Sequence, residues 1–225
     1  AQAGAPLAEV QRVAAQGGQR LALDETVPGT TVGGMLATNT SGPRRTAIGT
    51  ARDLLIGVTM VRADGVVAKA GGRVVKNVAG YDLGKLLIGS MGTLGVVVDA
   101  TFRLHPVPAA SRWVSVPVAA PAQALAVPQS VVHAQVVPAA VEVEWAAGAG
   151  TVSVLLEGRE DGVAGRAAST RELLGTASSE SDEPPAGRQR ALAAEVGIHG
   201  VVEGLADVFC EGCAASSDAG SMVVH

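Results

Sequence analysis

Glycines and hydroxylated residues crowd one stretch of this chain, residues 27–50, VPGTTVGGMLATNTSGPRRTAIGT. Gly29, Gly33, Gly34, Gly42 and Gly49 stand there among Thr30, Thr31, Thr38, Thr40 and Ser41, around one short apolar patch at residues 32–37. Ordering so much glycine costs more backbone entropy than ordering any other residue type. One chemistry suits the pattern. Thr30 or Thr31 caps a short helix whose first-turn amides and dipole form an anion site. Gly33 and Gly34, lacking Cβ, let a flat or phosphorylated ligand approach the main chain, and residues 38–42 continue the wall. The other reading is a tight connection whose glycines only let the chain turn, and glycines alone do not choose between the two.

Other chemistry-bearing residues are sparse. Cys210 and Cys213 form a lone CxxC with neither a second pair for zinc nor a βαβ context for redox exchange. His105, His133, His199 and His225 are scattered, with no ligand spacing, so no metal is expected. No Ser-His-Asp ordering, Walker-type loop or Rossmann GxGxxG occurs, and Asp53 and Asp82 read as caps or pairing partners. No catalytic residue can be named.

The elements that must position the glycine-rich stretch follow from periodicity. Residues 6–15 read as a helix closed by Gly17-Gly18, and residues 21–23 as a brief extended lead-in. Residues 53–62 and 66–70 flank Ala63-Asp64-Gly65 as an antiparallel hairpin. A short helix is expected at 82–88, then a second glycine-rich turn, GSMGTLG at 89–95, feeding a strand at 96–104. Pro106 and Pro108 mark a boundary. Beyond it, strands at 113–118, 139–145 and 151–157 and helices at 119–127 and 163–174 give a β, α, β, β, α order, which suggests a ferredoxin-like α+β unit, with Pro128 shortening the first helix. Residues 176–187 are rich in Ser, Pro and acid and read as a mobile linker. One more helix is expected within 191–205, before a pattern-poor tail.

Residues 28–108 resemble the second half of the FAD-binding domain of the vanillyl-alcohol oxidase/PCMH-type flavoproteins, and most of all the FAD-binding subunit of bacterial glycolate oxidase. The blocks that carry the likeness are TTVGGMLATNTSGPRR, GTARDLLIGVTMVRADG and GGRVVKNVAGYDLGKLLIGSMGTLGVVVDATFRLHP, in the family's order and spacing. The resemblance implies a non-Rossmann α+β flavin fold: residues 1–108 as the C-terminal part of the FAD-binding domain, 109–175 as a partial cap or substrate domain, and 176–225 as linker and tail. It implies FAD contacts from Thr31, Val32, Gly33, Gly34, Thr38, Ser41, Gly42, Gly49, Gly95, Val96 and Val97, largely through the main chain. It also implies a phosphate loop upstream of Ala1, so that the chain reads as truncated at its front.

The same resemblance implies function. A 2-hydroxy acid gives up a hydride to flavin, and electrons leave through partners, a second flavoprotein subunit and an iron-sulfur subunit. The family's metal-binding cap histidines are missing, which favours a sister subunit as the site of substrate oxidation. Among Arg44, Arg45, Arg52, Arg73 and Lys76, a cation beside the ring would stabilise its reduced form. The alternatives are a noncatalytic assembly subunit without FAD and a free-standing FAD-dependent oxidase.

Composition narrows the classes further. The chain has 225 residues, 48% apolar and 17% charged, enough to fold around substantial cores. Aromatics at 2% and a net charge of -4 leave neither stacking platforms nor a basic field, which argues against nucleic acid. No charged residue lies between Arg112 and Glu142, but Pro117, Pro121, Pro128 and Pro138 interrupt that run, so no transmembrane helix is expected. With no secretory pattern and only two cysteines, the expected location is cytoplasmic, or peripheral to the inner membrane through partners.

Overall fold

The computed structural model describes residues 1–73 and 82–185 and the strand at 222–224. The chain divides into two compact units, Ala1–Val107 and Pro108–His225. The fold class is α+β, as the sequence indicates.

In the first unit, α1 (Leu7–Gln16) begins after Pro6, whose φ of -60 suits a helix entry, and stops at Gly17. Leu7 enters the core, while Glu9 and Arg12 pair at 2.6 Å on the exposed side. The strand that follows, β1 (Gln19–Arg20), comes earlier than the extended piece expected at 21–23. Leu21, Ala22 and Leu23 are instead buried in an irregular segment, and the carbonyls of Leu21 and Leu23 accept the Gln11 side-chain amide.

Three short helices come next, α2 (Val32–Thr38), α3 (Arg45–Ile48) and α4 (Ala51–Leu54). They lead to β2 (Leu55–Val61), β3 (Val67–Gly71), α5 (Gly84–Leu87), β4 (Val96–Phe102) and β5 (His105–Pro106). The sheet order is β3-β2-β4, all antiparallel, and β1 pairs with β5. The expected hairpin is present: Gly65, at φ 81, closes a three-residue loop, and Asp64 Oδ1 accepts the Val66 amide at 3.2 Å. Leu7, Val32, Met35, Leu36, Leu54 and Leu55 are buried together in the core.

Residues 53 and 54 belong to a helix and not to the expected strand. Thr50 and Asp53 form a capping box, with the Asp53 carboxylate accepting the Thr50 amide at 2.7 Å and its hydroxyl at 2.9 Å. The Thr50 backbone bond, then the hydroxyl bond, hold the Asp53 carboxyl below its ordinary pKa against a small opposing effect of burial. A lowered folded-state pKa means that the cap's contribution is full above the unfolded carboxylate's pKa, about 3.9, and is lost as pH falls through the folded value. Between about pH 5 and pH 2, the wild type should therefore lose more stability than Asp53→Asn, by a fraction of the ~1 kcal/mol of a typical cap, because Asp53 is exposed. Melts across that range check this; parallel curves would contradict it.

The second unit is built on a sheet ordered β10-β7-β8-β6-β9. Its elements are β6 (Ala110–Val118), α6 (Pro121–His133), β7 (Ala140–Ala146), β8 (Ala149–Gly158), α7 (Glu160–Leu174), β9 (Ser179–Ser181) and β10 (Met222–Val224). Apart from β10, this is the ferredoxin-like βαββαβ arrangement. Register puts Val114, Val154 and Val141 side by side, then Val116, Val152 and Val143, on the face that both helices cover through Val131, Val163 and Ala167. The opposite face carries Trp113, Leu155 and Ala140 and a Ser115–Ser153 hydroxyl pair at 2.9 Å.

Three expectations are corrected here. Helix α6 runs through Pro128 to His133, because Val131, fully buried beyond the proline, packs into the core and outweighs one missing backbone bond. Residues 179–181, read as linker, form β9, which Arg112 holds through Glu180 at 3.3 Å and through Asp182. Residues 222–224, read as patternless tail, pair with β7. The helix expected within 191–205, together with Cys210, Cys213, His199 and His225, lies outside the described residues.

Candidate functional site

The glycine-rich stretch opens with a tight turn in which the Thr30 amide and hydroxyl both return to the Val27 carbonyl. Gly29 adopts φ 78 there, and its amide donates to Glu25 Oε1 at 2.9 Å. Thr31 then caps α2, its hydroxyl accepting the Gly34 amide at 3.1 Å. The cap is where the sequence puts it. The anion site expected beside it is not. Val32 N–H donates to Ala5 O at 3.0 Å, Gly33 N–H to Ala3 O at 2.7 Å and Met35 N–H to Thr31 O at 2.9 Å. The chain itself uses the first-turn donors, and a Cβ on Gly33 would stand 2.9 Å from the Ala3 Cβ, so this glycine serves the approach of the chain's own residues 3–5.

At its other end α2 closes on Asn39, which takes the left-handed conformation at φ 55. Thr38 donates its hydroxyl to Gly34 O at 2.9 Å and meets the Thr40 hydroxyl. Residues 41–44 then run against Asp24, a residue with no place among those expected from sequence. The Asp24 carboxylate accepts the Arg44 amide at 3.1 Å and pairs with the Arg44 guanidinium. Gly42 passes so close that a Cβ on it would lie 2.6 Å from Asp24 Cγ. The neighbouring hydroxyls of Ser41 and Thr26 are buried without a hydrogen-bond partner among the described residues.

The second glycine-rich turn meets the first. Gly89 N–H donates to Leu36 O at 2.9 Å and Met91 N–H to Ala37 O at 2.8 Å, so residues 89–91 are tied to the C-terminal half of α2. The N-terminal half of α2 reaches β4 through Ala3, which donates to Val98 O at 2.8 Å while accepting from Gly33. Thr31, Val32, Gly33, Gly34 and Thr38 are thus linked to the turn and strand holding Gly95, Val96 and Val97, and Ser41 and Gly42 follow directly. Gly49 belongs to a local arrangement, its φ of 99 set against the Asp53 carboxylate. Gly95 is explained by crowding, since a Cβ there would stand 2.7 Å from Val61 O.

Within the second turn and at the start of β4, Met91, Leu94 and Val96 are exposed by 71%, 53% and 68%. Of the cations expected near a ligand, Arg44 is paired with Asp24, Arg45, Arg52 and Arg73 are exposed, and Lys76 lies outside the described residues. The exposed side chains of Met91, Leu94 and Val96 suit the apolar face of a flat ring such as that of FAD, whereas the Ser41 hydroxyl is shielded from solvent. The amides at the start of α2 do not fit a diphosphate grip, since they are already bonded. Among the described residues, no group of three His, Cys, Asp or Glu side chains could hold a metal, and no helix is long and apolar enough to cross a membrane.

Comparisons bear on the same stretch. Residues 1–71 match a family model described as FAD binding domain. The chain is 39% identical over 113 residues to glycolate oxidase subunit GlcE of Escherichia coli, covering 49% of this chain and 32% of that protein. It is 49% identical over 76 residues to D-lactate dehydrogenase of Archaeoglobus fulgidus, covering 34% of this chain and 17% of that one. Glycolate oxidase subunit GlcD of Bacillus subtilis is 45% identical over 78 residues, or 35% of this chain and 17% of that one. The chain thus spans about a third, or less, of the length of these relatives. Among solved structures, alkyldihydroxyacetonephosphate synthase superposes with a TM-score of 0.68 at 20% identity, over 84% of this chain and 40% of that one. That likeness shows the fold.

Proposed function

We propose that this chain is the FAD-binding part of an oxidoreductase that takes two electrons from a 2-hydroxy acid, a reading supported by the match of residues 1–71 to an FAD binding domain and by the likeness to a glycolate oxidase subunit. The observation that carries the reading is the joining of two glycine-rich turns, with Met91, Leu94 and Val96 exposed within the second turn and at the start of β4. Relatives named for glycolate oxidase and D-lactate dehydrogenase share that chemistry, oxidation of a carbon bearing a hydroxyl next to a carboxylate. When bound, FAD supplies the hydride acceptor. The chain's residues give it place and environment. The main chain at 31–34, 38–42 and 95–97 lines it, and Met91, Leu94 and Val96 exclude water from the ring.

On this reading Gly49 acts by shaping the loop entrance. The second unit is the cap or substrate domain, and the electrons leave through a second flavoprotein subunit and an iron-sulfur subunit. The complex is cytoplasmic, or attached peripherally to the inner membrane through those partners.

One observation favours a second reading, a noncatalytic assembly subunit: the α2 amides are already bonded within the chain. A visible spectrum decides. The chain, mixed with FAD and freed of excess, should be yellow and release FAD on denaturation. A colourless chain that still joins its partners would sink the first reading and support the second.

A further inference from the structure

We propose that Asp24 is a positioning residue for the FAD site, the group that fixes residues 41–44 so that the loop meets its ligand already in shape. This rests on the reading above that these residues line FAD. Asp24 leaves only 8% of its side chain exposed and Arg44 22%, so the pair is largely withdrawn from water. One carboxylate oxygen takes the Arg44 backbone amide at 3.1 Å and the other its guanidinium, which grips main chain and side chain of one residue together. Gly42 packs against the same carboxylate, with room for nothing larger than hydrogen.

Asp24 is itself anchored. The preceding Leu21 and Leu23 are buried, and their carbonyls are held by Gln11 of α1. A rigid line therefore runs from α1 through Asp24 to the loop carrying Ser41. A loop held in its bound shape loses less entropy on binding, so the clamp acts on affinity without touching the ligand. It also gives Arg44 a task other than tuning the flavin's charge.

The test uses the full chain, with FAD as probe and hydrogen exchange read in its absence. Asp24→Asn keeps an acceptor for the Arg44 amide and the same volume but removes the charge. Arg44→Gln removes the other partner. Each variant should melt at a lower temperature, because a largely buried partner is left unpaired, and, assayed well below that melt where the chain is folded, should bind FAD about tenfold more weakly with faster exchange concentrated at the amides of residues 42–45. The double variant should bind no more weakly than either single one, because both break the same device, and Arg44→Lys should recover part of the affinity. Variants that bind FAD as the wild type does would overturn the assignment of Asp24 alone. Faster exchange throughout the first unit would do the same, showing a part in general stability. A wild-type chain that takes up no FAD would overturn the reading of the site, and this inference with it.

Discussion

Gly42→Ala should lower the stability of the first unit by about 3 kcal/mol, a fall in its melting temperature of roughly 10–20 °C. The new methyl would stand 2.6 Å from Asp24 Cγ, inside any real contact distance. Asp24 cannot swing away cheaply, because both its oxygens are engaged by Arg44 and its side chain is almost wholly buried. The choice is between a strained loop and a broken ion pair, and either outcome is costly. Gly4→Ala is the control: nothing lies within 4 Å of a Cβ there. Thermal melts of the two variants should differ widely. A Gly42→Ala melt within about 2 °C of wild type would show that residues 41–44 are not held as described.

Trp145→Ala should cost the second unit about 3–5 kcal/mol, read as a lower denaturant midpoint at unchanged slope. Trp145 is 4% exposed and packs with Val116, Val118, Ala124, Val143 and Val152. Its ring also covers Gly150, the residue paired with it across the β7–β8 hairpin, where a Cβ would meet Trp145 Cε3 at 2.5 Å. Gly150→Ala should therefore destabilise by a smaller amount, about 1–3 kcal/mol, by pushing the same ring out of place. A Trp145→Ala protein with an unmoved midpoint would mean that this cluster is not the structural centre of its unit.

What the sequence makes legible is what local chemistry decides. Asp64-Gly65 announces the first hairpin because glycine at φ 81 closes the turn. The second hairpin turns on Ala147 and Gly148, at φ 52 and 83, and an alanine in the left-handed region gives no such signal. Alternation in β6 and β8 reveals strands, whereas Ser179, Glu180 and Ser181 are all exposed and show no apolar period, so β9 reads as linker. Thr31 is legible as a cap, but the partners of the α2 amides, Ala3 and Ala5, come from a segment brought near only by the fold. Asp24 is illegible for the same reason: its partner Arg44 lies 20 residues away, and a single acidic side chain has no pattern. The glycine-rich turns could be located from composition. That they bond to each other through Gly89 and Met91 could not.

The anchoring of β9 has one more consequence. A strand of three exposed residues, bolted to β6 by Arg112 through Glu180 and Asp182, depends on charge attraction at the surface more than on burial. Dissolved salt near 1 M shortens the reach of such attraction to about 3 Å. Concentrated brine should therefore loosen this border of the sheet first, baring the hydrogen-bonding groups of β6 to neighbouring molecules and making the protein prone to clump under conditions that leave its interior intact.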